Sequence, residues 1–183
     1  MGASTASLQS LGLQANDFVL FDLPQRFALD LGELEARWKA LQAQAHPDRF
    51  AAQGASAQRV AMQWSVRVNE AYQRLKSPLS RGAYLCELAG APVRAEDNTA
   101  MPAAFLMQQM EWREALDDAG RDEDALDALL RQTRQAQAEW LTQLAQRLDE
   151  QHDATAATGC VRALMFIDKF AQTVSQRLDD LDD

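Results

Sequence analysis

Apolar residues recur along this chain at alternating steps of three and four, the pattern of helices that bury one face. Leu31, Leu34, Trp38, Leu41 and Ala45 form the first long stripe, with Glu33, Glu35, Arg37 and Lys39 elsewhere around the helix. Asp30 is placed to cap its N-terminus, and Glu33 to complete a capping-box-like pair. The helix must stop near His46, because Pro47 disfavours the α region in the residue before it. After a polar, small-residue loop over 48–55, Ser56 can cap a second helix in which Val60, Trp64, Val68, Ala71 and Leu75 share a face. Two antiparallel amphipathic helices joined by a loop are predicted. Ahead of them, Phe18 to Phe21 is stopped too sharply by Asp22-Leu23-Pro24 for more than about one helical turn.

Ser77-Pro78 starts a further short helix, with Ser77 as N-cap and Pro78 at its first position, and Gly90 closes it. Residues 90–101 carry Gly, Pro and polar groups without apolar period and read as a linker. Beyond it, Pro102 can open a helix to about Asp118, and the acidic run Arg121 to Asp124 suits the start of another from about residue 122. That helix keeps Leu126, Leu129, Leu130, Thr133, Gln137, Trp140, Leu141, Leu144 and Leu148 on one face, and its stop is expected over 151–159. A last stripe runs through Val161, Leu164, Ile167, Ala171, Val174, Leu178 and Leu181. Three such helices with short connections predict an antiparallel three-helix bundle. No period-2 run long enough for a strand occurs, so the fold class is all-α.

Composition sharpens the picture. The 183 residues carry 18 basic and 27 acidic side chains, a net charge of -9, which disfavours a surface built to track phosphate; no nucleic-acid partner is expected. The imbalance is local: residues 1–89 hold 9 basic and 8 acidic groups, residues 90–183 hold 9 and 19. Two halves with different electrostatic roles follow. No stretch approaches a membrane span, the first residues lack a basic leader, and Ala6 breaks the acylation pattern that Gly2 would begin. A cytoplasmic protein without a membrane partner, and with a flexible first 16 residues, is expected.

Enzyme chemistry finds little to use. Two histidines, His46 and His152, stand near no nucleophile motif, and none of the 8 glycines belongs to a phosphate loop. Cys86 and Cys160, without ligand spacing, read as reduced buried thiols. The acidic clusters lack the alternation of a calcium loop. No catalytic residue, metal or cofactor is therefore expected, and His152 reads as decoration of an interhelical loop.

His46-Pro47-Asp48 differs, because it closes one amphipathic helix and precedes its antiparallel partner. With Arg49-Phe50 after it and ARWKALQAQA before it, the stretch over 17–89 resembles a J-domain. The resemblance implies that His46, Pro47 and Asp48, with Arg49, Arg37 and Lys39 around them, act on the ATPase of a DnaK-class heat-shock chaperone. Such domains commonly carry a more basic second helix; here Gln42-Ala43-Gln44-Ala45 precedes the motif, which implies weaker electrostatic steering.

The segment AAFLMQQMEWREALDD, residues 103–118, carries more apolar residues than one buried stripe needs. Phe105, Gln109, Trp112 and Leu116 define one face, while Leu106, Met107 and Met110 form a neighbouring set among Glu111, Arg113 and Glu114. Phe166 falls off the stripe of the last helix and is expected to point outward; exposed apolar surface of this kind marks a partner. FLMQQMEWREALDD and VRALMFIDKF, placed after a J-domain, resemble the bacterial form of the HscB family of iron–sulfur co-chaperones. The resemblance implies an N-terminal J-domain over 17–89, a linker over 90–101 and a scaffold-binding domain over 102–183. It further implies that Leu106, Met107, Met110 and Phe166, surrounded by Glu111, Arg113 and Glu114, bind the scaffold protein IscU for delivery to the chaperone HscA. A J-protein for another client, or a helical interaction protein without chaperone activity, are the alternatives from the residues alone.

Overall fold

A computed structural model describes residues 12–94, 101 and 103–182. Among these residues there are helices and turns but no strand. The chain divides between Arg81 and Gly82 into two compact units.

In the first unit α1 spans Asp17–Leu20, α2 Leu31–Ala45 and α3 Ala55–Lys76. Asp30 caps α2 by accepting from the Gly32 and Glu33 amides. The Glu33 carboxylate lies 2.7 Å from Arg37, so it serves an i,i+4 ion pair and not the reciprocal half of a capping box. Trp38 Nε1 donates to Asn69 Oδ1 at 2.9 Å, and Gln42 Nε2 donates to the Ser65 carbonyl at 3.2 Å. One residue number rises as its partner's falls, which makes the pair antiparallel. This register also locates the ends of the seam. Leu31 lies opposite the last turn of α3, and Val60 lies past the end of α2, so both are about half exposed although their spacing places them on the buried stripe. The core takes Leu34, Leu41, Ala45, Ala61, Val68, Ala71 and Leu75, with Phe18 of α1 and Phe21 at its C-cap also buried.

The connection over 48–55 is more regular than its composition predicts. Pro47–Gln53 winds as a 3₁₀ helix, and Gly54, at φ 92°, turns the chain directly into α3. Ser56 therefore sits inside the first turn and is not the N-cap; the cap position belongs to Gly54, without a side-chain bond.

Residues 13–16, expected to fray, are held. Arg67 donates to the carbonyls of Leu13 and Ala15 and, at 2.6 Å, to Asp17 Oδ1. Arg74 reaches the other oxygen of Asp17 at 3.0 Å, and Asp17 is fully buried. A buried carboxylate is tolerable only when paired in this way. Residues 1–11 lie outside the described residues.

The second unit takes the helix α4, Pro78–Leu88, from Gly82 onward. Ser77 caps α4 through its hydroxyl, and Gly90, at φ 77°, ends it while the Ala91 amide donates to the Cys86 carbonyl. Buried Arg162 then donates to the Val93 carbonyl. These bonds fasten residues 86–93 to the second unit, so the structural division precedes the expected linker; residues 95–100 of that linker, and Pro102, lie outside the described residues.

The bundle consists of α5 (Ala103–Ala119), α6 (Glu123–Ala145) and α7 (Ala154–Asp182). Phe105 meets Trp140 and Trp112 lies near Ala136, so α5 and α6 run antiparallel. Phe105 meets Phe166 and Trp112 meets Phe170, so α5 and α7 run parallel. Phe105, Trp112, Leu116, Leu126, Leu129, Ala163, Ile167 and Val174 share the core between them. Arg177 of α7 donates to the Leu116 carbonyl at 2.8 Å, which satisfies one open acceptor at the end of α5. The break before α7 is shorter than expected. A π turn at Gln146–Glu150 is followed by only three non-helical residues, because the Asp153 carboxylate accepts from the Ala156 amide and starts α7. His152 sits in this break at φ 53°.

Two predictions follow from the buried polar groups. Asp17→Asn removes the charge that holds Arg67 and Arg74, and should lower the unfolding free energy in urea by about 2–3 kcal/mol. Burial pushes the Cys86 thiol up to about 11 from an ordinary 9.0. The unfolded thiol then ionises first, so the Cys86 contribution to stability is complete below pH 9 and lost between about pH 9 and 11. Urea titrations across that range should show a fall in stability that Cys86→Ala reduces.

Candidate functional site

The residues expected at a functional site fall on two surfaces, one in each unit. The first is the turn after α2. Pro47 keeps His46 out of the α region, at φ -64° and ψ 124°, so the helix ends at Ala45 and the following backbone swings outward. His46 Nδ1 accepts the Asp48 amide at 3.3 Å, and the Arg49 amide donates to the His46 carbonyl at 3.1 Å. A neutral ring whose Nδ1 accepts must carry its proton on Nε2. The side chains of His46 and Asp48 are 60% and 90% exposed, which leaves the Asp48 carboxylate available to an incoming guanidinium. Local bonds therefore hold the backbone while the imidazole and the carboxylate stay in solvent.

Of the cations expected alongside this turn, Arg49 lies in it, whereas Arg37 and Lys39 stand about two turns back along α2, and all three are engaged by neighbouring groups. Arg49 Nη1 donates to the Ala43 carbonyl at 3.1 Å and stabilises the C-terminal end of α2. Arg37 sits between Asp22 and Glu33, each at 2.7 Å, and the two carboxylates raise its pKa further. Lys39 pairs with Glu35 at 2.7 Å. The partner Asp22 was not among the residues expected at this surface; it sits in the turn after α1, at φ 51°, where sequence spacing carries no signal of an approach to α2.

The second surface is the outer flank of α5. Phe105, Trp112 and Leu116 are buried, whereas Leu106, Met107 and Met110 are 45%, 65% and 63% exposed. Glu111, Arg113 and Glu114 are also exposed. At 100° per residue, Leu106, Met110 and Arg113 share the flank of α5 that borders α7. Phe166 of α7 stands beside that flank, with the Arg113 guanidinium carbon 5.6 Å from its ring centroid.

Phe166 does not point outward as its offset from the stripe predicts. It is half-buried, edge-on to Phe105 and stacked on Phe170. The reason is that α7 has two helical neighbours, so its buried arc is wider than one stripe and Phe166 with Phe170 belongs to the α5 side. Phe170 and Trp140, the rings that support this edge, were not expected as site residues; the i,i+4 pair in FIDKF was the available signal.

Among the described residues no group of His, Cys, Asp or Glu is arranged to hold a metal ion, and no helix is long and apolar enough to cross a membrane.

An antiparallel hairpin with an exposed His-Pro-Asp turn, followed by a three-helix bundle, is the architecture of a J-type co-chaperone. Residues 101–175 match the model described as the HSCB C-terminal oligomerisation domain, and the co-chaperone protein HscB homolog of Bordetella pertussis is 51% identical over 158 residues, covering 86% of this chain and 93% of that protein. The chain belongs to the HscB co-chaperone family. A Burkholderia multivorans HscB homolog is 49% identical over 94% of this chain and 99% of its own length. Among solved structures, the chaperone HscB from Vibrio cholerae superposes with a TM-score of 0.77 at 36% identity, over 91% of this chain and 99% of that one. Human co-chaperone protein HscB gives 0.83 at 27% identity, over 89% and 82%.

Proposed function

We propose that this chain is a non-enzymatic cytoplasmic adaptor of iron–sulfur cluster assembly. It binds an IscU-type scaffold protein through the α5 flank, and stimulates the ATPase of an HscA-type, DnaK-class chaperone through His46, Pro47 and Asp48, with Arg37, Lys39 and Arg49 alongside. The observation that carries this reading is the presence, on one chain, of a rigid exposed His-Pro-Asp turn and an exposed Leu/Met face in a separate unit. The first supplies a carboxylate on a fixed backbone, suited to a charge-assisted contact with a partner arginine. The second supplies adaptable apolar side chains with a charged rim, the composition of a protein-binding surface. Holding the scaffold on the same chain raises its effective concentration beside the chaperone, and the turn couples its capture to hydrolysis.

The two contacts are separable. Asp48→Asn should reduce stimulation of the chaperone's steady-state ATPase by about tenfold or more. It should leave urea stability within about 0.5 kcal/mol, because the side chain is solvated. Stimulation equal to wild type would refute the role of the turn. Replacing Leu106, Met107 and Met110 together by Ala should weaken scaffold binding roughly 100-fold by calorimetry while preserving basal ATPase stimulation. Unchanged affinity would remove these residues from the interface.

A further inference from the structure

The rings between the bundle helices form a continuous series. Phe105 meets Trp140 at 5.2 Å and Phe166 at 5.8 Å, both edge-on; Phe166 stacks on Phe170 at 5.9 Å, and Phe170 on Trp112 at 5.6 Å. Phe105, Trp112 and Phe170 are buried and held by the core. Phe166 is the middle ring of the series and is only half-buried, so its inner side meets Phe105 and Phe170 while its outer side needs a partner from α5. Arg113 engages it, with its guanidinium carbon 5.6 Å from the centroid. Among the described residues Arg113 forms no ion pair: Asp117, one turn further along α5, faces Arg177 of α7. The guanidinium is thus committed to the ring and not to a neighbouring carboxylate.

We propose that Arg113 is a positioning residue. Its cation–π attraction holds Phe166 beside Leu106 and Met110, so that the aromatic and aliphatic parts of the face are assembled before the scaffold arrives. Binding to a face already in place avoids the entropy loss of ordering the ring at the moment of contact, and affinity rises accordingly. The proposal rests on the scaffold-binding reading above.

The test combines a double-mutant cycle with a measurement that needs no partner. Full-length wild type, Arg113→Ala, Arg113→Lys, Phe166→Leu and the Arg113→Ala/Phe166→Leu pair are titrated calorimetrically with an IscU-type scaffold. Arg113→Ala should weaken binding about threefold to tenfold, and Arg113→Lys should recover most of that loss because a cation remains over the ring. In the Phe166→Leu background the same Arg113→Ala change should alter affinity less than about twofold. In the free protein labelled with fluorophenylalanine, the Phe166 ¹⁹F resonance, assigned through Phe166→Leu, should shift in Arg113→Ala and return towards its place in Arg113→Lys. Equal losses in both backgrounds would mean that Arg113 touches the scaffold directly, and would overturn the positioning role. An unmoved Phe166 resonance would overturn it as well. A wild-type chain that fails to bind the scaffold would refute the underlying reading, and the proposal with it.

Discussion

Pro47 disfavours the α region in the residue before it, because its Cδ crowds the preceding backbone, and the first unit is organised around that restriction. Helix α2 has to stop at Ala45, so His46 is extended and the chain leaves the helix at a fixed angle. The 3₁₀ helix uses up the short connection, and Gly54 supplies the left-handed turn that returns the chain along α2. The antiparallel register follows, with Trp38 against Asn69 and Gln42 against Ser65. The backbone amides of Asp48 and Arg49 are satisfied within the turn, which is why an exposed His and Asp can stand on a backbone that is not free to wander.

The bundle poses a different problem. In a three-helix arrangement each helix has two neighbours, and the shared core consumes an arc of each helix that the alternating three-and-four pattern approximates. On α5 that arc is filled by Phe105, Trp112 and Leu116. Leu106, Met107 and Met110 lie outside it, and their exposure costs stability nothing that packing could recover within the unit. On α7 the arc is wide enough to draw in Phe166. The same rule therefore exposes one set of apolar residues and half-buries another, and the two meet along the flank where Arg113 lies.

Periodicity made most of this legible. The starts of α2 and α4 were readable because Asp30 and Ser77 sit where a side-chain oxygen can reach the free amides, and that of α6 because its first turn is acidic; the cap that Asp122 makes there is seen only in the structure. The start of α3 was not readable in the same way: Ser56 is a good cap by composition, but Gly54 takes the position through backbone conformation alone. The surplus apolar set on α5 was visible as a count of residues against one stripe. The placement of Phe166 was not, since it depends on how many helices surround α7. The N-terminal anchor was equally hidden, because Asp17 lies 50 residues from Arg67 and 57 from Arg74 and only the folded unit brings them together.

Charge completes the account. The formal balance of the first 89 residues is close to neutral, and the helix before the turn is short of basic groups. Its two cations are also spoken for, Arg37 by Asp22 and Glu33, and Lys39 by Glu35, so the long-range field they offer is smaller than their number implies. Attraction to an acidic partner from this side is thereby weak at a distance. What remains is the Asp48 carboxylate, solvated on a hydrogen-bonded turn with only His46 Nδ1, at 3.6 Å, close to it, and best able to act in a direct charge-assisted contact. In the proposed role, the chaperone contact therefore draws on geometry more than on steering.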